Sequence, residues 1–143
     1  MKSLLNAEDH DRIVKAIAEA EGKSSGQIRV HLHHRSVDDP IEAGTKVFEK
    51  LGMAATAEKN GVLIFVAPRS KNFAILGDSG IHEKCGEDFW SEAADAMGGH
   101  FGKGEFAGGI VATIRKIGDA LAAHFPHREG SSVNELPDEV DEG

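Results

Sequence analysis

Cysteine is nearly missing from this chain: 143 residues include one, Cys85. A single thiol excludes an internal disulfide and agrees with a reducing compartment. Long apolar runs are missing too, and nothing approaches the roughly 18 residues that a membrane span needs. The opening residues MKSLLNAEDHDR lack the apolar stretch of a signal peptide. These absences lead to the expectation of a cytoplasmic protein without direct membrane insertion. Basic clusters are absent as well. Sixteen Lys and Arg stand against 24 Asp and Glu, with no basic stripe. Nucleic-acid binding needs clustered cations to displace counterions, so no nucleic-acid partner is expected.

What is present is ordinary for a globular domain, with 40% hydrophobic and 28% charged residues. The length suits one domain with a real core. Charge is uneven. Residues 126–143 hold six acids and one arginine, which is −5 of the net −8. Val133, Leu136 and Val140 are scattered there among acids, prolines and glycines. Such a segment buries too little apolar area to offset its ordering entropy. The division expected is therefore a single α/β domain over 1–125 and a disordered acidic tail over 126–143.

The stretch from Asn60 to Gly80 organises the fold. Val62–Ala67 is apolar at every position, as in a strand covered on both faces. Five turn-forming residues, Pro68 to Asn72, separate it from a second apolar run, Phe73–Leu76, so a hairpin is predicted. Upstream, Ile13, Ala16, Ile17 and Ala20 recur at helical spacing within 7–21. Asn6 and Asp9 suit a capping box, and Gly22 a left-handed end. Gly26–His33 alternates, with Gln27, Arg29, His31 and His33 on one partly polar face. Asp39-Pro40 signals a helix start, with a helix to about 52. Strand, helix, strand implies parallel pairing with a right-handed crossover. A helix over about 82–100 and another over 105–124 follow. The predicted architecture is a three-layer α/β/α sandwich with a mixed central sheet.

Few motifs point to chemistry. There is no Walker A loop, dinucleotide fingerprint, EF-hand, G-x-S-x-G or H-E-x-x-H. Gly77-Asp78-Ser79-Gly80 reads either as a plain strand-to-helix turn or as a loop offering backbone N–H groups to a ligand. Asp78, Glu83, Glu87 and Asp88 crowd eleven residues. Carboxylates bind hard cations such as Ca²⁺ and Mg²⁺, but they also stabilise helix N-termini without a metal. His31 and His33 share a face compatible with Zn²⁺, although no third ligand is in place. Partly exposed strand histidines are the simpler reading. Cys85 reads as a small core residue.

Four segments resemble the TPM domain of thylakoid acid-phosphatase and photosystem-repair proteins: Ser25–Val30, Asn60–Ala67, Phe73–Ile81 and Asp88-Phe89-Trp90. The resemblance spans about residues 7–125, and Asn134–Glu139, NELPDE, is similar to the tail of a standalone bacterial branch. It implies a Rossmann-like α/β/α fold, divalent-metal binding and, in the plant type, weak acid phosphatase activity. It also implies work beside membranes with a protein partner. One departure is Lys59, where many members carry an acid. On this basis the expected metal site comprises Asn60, Asp78, Glu83 and Asp88, because Asn60 and Asp78 are neighbours in the hairpin. The expected role is an accessory module holding Ca²⁺ or Mg²⁺, with metal-assisted phosphomonoester hydrolysis as the alternative.

Overall fold

The computed structural model describes residues 5–56, 58–126 and 140–142. In chain order it contains α1 (Ala7–Glu21), β1 (Gln27–Leu32), α2 (Pro40–Lys50), β2 (Gly61–Ala67), β3 (Asn72–Gly77), α3 (Ser79–Cys85), α4 (Glu87–Gly102), α5 (Phe106–His124) and β4 (Val140–Glu142). The sheet order is β3-β2-β1-β4. β2 lies parallel to β1 and antiparallel to β3, with Val62 opposite Gly77 and Ala67 opposite Asn72.

The alternation of a strand divides the core into two. Val62, Ile64 and Val66 join a large apolar cluster with Ile13 and Ile17 of α1 and Ile110, Ile114 and Ile117 of α5. Leu63, Phe65 and Ala67 face the other way, onto Met53 and the α2 residues Val47 and Phe48. Helices thus cover both faces of β2, and every β2 residue is buried, as its unbroken apolar run requires.

The predicted caps at the helix starts are present. Asn6 and Asp9 form a reciprocal capping box on α1, and Asp39 caps α2 ahead of Pro40. Three expectations are corrected. Gly22 has φ −68°, because its N–H continues the helical pattern to Ala18 O, so α1 ends without a left-handed residue. The single helix over 82–100 is two helices. They break at Gly86, whose φ of 77° and ψ of 170° lie in a region essentially reserved for glycine. The reading of partly exposed strand histidines fails at His31, which is buried together with Gln27 and Arg29 of the same face.

The tail expectation falls largely on residues outside the described ones, 127–139 and 143. It does not hold at Val140–Glu142, which pair in parallel with Val30–Leu32. The reason is geometric: β1 is otherwise an edge strand, and its open backbone groups accept a partner whatever that partner's composition. Removing residues 140–143 should therefore expose this edge. The expected cost is about 1 kcal/mol, or a few degrees of melting temperature in a thermal scan.

Candidate functional site

The base of the β2–β3 hairpin is built from backbone hydrogen bonds. Asp78 N–H donates to Gly61 O at 2.9 Å. Gly80 and Ile81 N–H both donate to Lys59 O, at 2.8 and 3.2 Å. Ser79 N–H donates to Asp78 Oδ1 at 2.8 Å, which makes Asp78 the N-cap of α3. The amides of residues 78–81 are therefore all occupied, as in a strand-to-helix turn. Gly80 is required by close approach. A Cβ there would collide with Glu58 O and stand 2.7 Å from Lys59 O. Lys59 holds a left-handed conformation, φ 54°, which turns its carbonyl toward α3. Its ammonium donates to Ala54 O at 2.6 Å.

The expected metal residues divide into two pairs. Asn60 and Asp78 are neighbours, as the hairpin register demands. Asn60 is 1% exposed. Its Nδ2 donates to Ser25 Oγ at 3.2 Å, and Ser25 Oγ donates to Glu58 Oε1 at 3.2 Å. Glu83 and Asp88 are exposed on α3 and on the first turn of α4. Among the described residues, no three His, Cys, Asp or Glu side chains gather closely enough to hold a metal. One observation nevertheless fits a cation at Asp78. Its Oδ2 is buried and makes no hydrogen bond, and the same holds for Trp90 Nε1. The Trp90 ring lies against Gly77, the residue before Asp78. A buried carboxylate oxygen without a donor is costly unless something neutralises it. Carboxylate and backbone carbonyl oxygens are the donors that hard cations take.

Sequence reasoning missed Glu58 and Ser25. Glu58 supplies an acid on Asn60, through Ser25, although position 59 itself is a lysine. Its signal was weak: adjacency to the Asn-Gly pair, one residue further upstream.

The histidines form a separate group at the end of β1. His31 Nε2 and His33 Nδ1 lie 3.1 Å apart, and both rings pack on Phe65 at centroid distances of 5.4 and 5.3 Å. The reading of partly exposed histidines is corrected at His31, which is 4% exposed. Burial, and then the charges of His31, Arg35 and His34, hold the His33 pKa below its ordinary value. Cys85 is half-buried against the larger cluster, and burial pushes its thiol pKa up, as expected of a packing residue rather than a nucleophile.

The TPM domain family matches residues 1–120. The chain belongs to this family. Similar solved structures include the NMR structure of the BA42 protein from the psychrophilic bacterium Bizionia argentinensis. It is 40% identical with a TM-score of 0.91, and the match covers 100% of this chain and 98% of that one. Two further solved structures share the fold at lower identity. The N-terminal domain of the cg2496 protein from Corynebacterium glutamicum is 18% identical, with a TM-score of 0.64 over 92% of this chain and 78% of that one. The N-terminal domain of a P. gingivalis protein is 19% identical, with a TM-score of 0.70 over 88% and 83%. No curated protein sequence matches. Among the described residues, no helix is long and apolar enough to cross a membrane.

Two outcomes follow from this geometry. Gly80→Ala should destabilise by about 1–3 kcal/mol, since its obstruction is backbone that cannot swing aside. Gly99→Ala, in an open helical position, should stabilise by about 0.5–1 kcal/mol. Urea unfolding of both variants checks the contrast. The second outcome concerns pH. The folded His33 pKa lies below 6.5, so the unfolded chain takes up this proton first as pH falls. Its contribution to stability is complete above 6.5 and is lost progressively below it. Unfolding free energies at neutral pH and at about pH 5.5 should differ less in His33→Gln than in the wild type.

Proposed function

We propose that this TPM domain is an accessory binding module whose hairpin base holds a divalent cation, Ca²⁺ or Mg²⁺, through Asp78. The observation that carries the reading is the buried Asp78 Oδ2 without a hydrogen-bond donor. The carbonyl of Glu58, close to Gly80, adds an oxygen donor of the right type. Asn60 anchors this corner, while Glu83 and Asp88 contribute negative field from the adjoining helices. The wider setting is a cytoplasmic domain that serves a membrane-associated protein partner. A layered, Rossmann-like description of the fold is supported by the two apolar clusters on opposite faces of β2.

A bound cation would supply Lewis acidity, which is the basis of the alternative phosphatase reading. Binding without catalysis is favoured by the disposition of Lys59 and Arg69, the two cations that would steer a phosphate. The Lys59 ammonium is turned to Ala54 O. Arg69 lies in the Pro68–Ser70 turn, at the far end of the hairpin. Neither stands ready to hold a phosphate at Asp78.

The test is a titration with Ca²⁺ and Mg²⁺, followed by backbone amide shifts in the wild type and in Asp78→Asn. Asparagine caps helices about as well as aspartate, so the variant should keep its fold. Shifts are expected at residues 59–61 and 78–81 of the wild type and should vanish in the variant. Shifts elsewhere, or the same shifts in both proteins, would remove the assignment.

A further inference from the structure

At the opposite end of the hairpin, a cleft of about 480 Å³ opens between the β2–β3 turn, the last turn of α4 and the first of α5. Its size is that of a small-molecule site. Three half-buried rings form its walls. Phe73 and Phe101 meet edge to face with centroids 5.4 Å apart, and Phe106 lies 5.3 Å from Phe101. The floor includes Val66 and Ala67, the carboxyl end of β2. Crevices outside the carboxyl ends of strands are where open α/β sheets bind ligands.

The charge around this cleft runs against that of the whole chain. The protein carries a net −8, yet among the described residues no acid lines the cleft, and the one charged residue that does is Lys71. Asn72, the other polar side chain, is used internally. It donates to Val37 O at 2.9 Å and accepts from Ser70 Oγ at 2.8 Å. Lys71 is exposed and held in a left-handed turn, φ 57°, by its N–H bond to Pro68 O. An aromatic wall with one cation at the rim matches a ligand with a flat apolar body and one negative end.

From these features the geometry points to a second binding site, between Phe73, Phe101 and Phe106, for a small amphipathic organic anion whose carboxylate pairs with Lys71. The site is independent of the cation reading at Asp78.

Two substitutions probe it without disturbing the core. Lys71→Asn removes the charge and keeps a residue that tolerates the left-handed turn. Gly102→Leu grows a side chain from the cleft wall, at a position where an added Cβ meets nothing within 4 Å. The probes are naphthoate and its neutral analogue naphthamide, titrated into the full chain and followed by amide shifts. Naphthoate should move residues 71–73 and 98–102 and bind more tightly than naphthamide. Lys71→Asn should weaken naphthoate by about fivefold and leave naphthamide unchanged. Gly102→Leu should abolish both with an unaltered melting curve. The proposal falls if naphthoate leaves those amides unmoved, if the wild type binds both probes equally, or if a natively folded Gly102→Leu binds as before. Should Gly102→Leu not fold, the comparison of the two probes on wild type and Lys71→Asn decides.

Discussion

Strand β2 has no solvent side, and the position of every other element follows from that. Its odd and even residues feed two separate apolar clusters, so helices must lie on both faces. Fully burying a large aliphatic or aromatic side chain contributes roughly 1.5–3 kcal/mol, and β2 offers Val62, Leu63, Ile64, Phe65 and Val66 in a row. A strand so placed needs backbone partners on both edges. β1 supplies one in parallel and β3 the other in antiparallel, and the chain between β1 and β2 becomes α2, the cover of the second face.

The two ends of the β2–β3 hairpin then take different characters. At the base, backbone groups are satisfied almost entirely by one another, with Lys59 O accepting two amides at once. A ligand there must come to the side-chain oxygen that has been left over, not to the loop amides. At the turn, aromatic side chains of β3, α4 and α5 are only half covered. The first environment suits a compact charge and the second an extended apolar body.

The sequence made the architecture readable because β2 and the α1 and α5 stripes have unambiguous periodicity. Helix starts were readable for the same reason, since Asn6 and Asp39-Pro40 act locally. What escaped was decided by tertiary context. Gly86 is one glycine among 17, and only its backbone angle reveals that it splits a helix. Alternation marks Arg29 and His31 only as members of a polar face, yet the fold buries both. Val140–Glu142 has no strand pattern and pairs because an edge was available. In the candidate site, the meeting of Asn60 with Asp78 was legible from hairpin register. The link through Ser25 to Glu58 was not, because it joins residues 33 positions apart through side chains.

The packing of Trp90 on Gly77 has an optical consequence. The chain contains no tyrosine and no second tryptophan, so its ultraviolet emission comes from this one indole. That indole touches the residue before Asp78 and has a buried N–H with no acceptor. Any change of charge or hydration at the hairpin base alters the electrostatic field across the ring, and with it the colour and yield of the emitted light. The protein therefore carries a native fluorescent reporter fixed at one of its two candidate sites and outside the lining of the other.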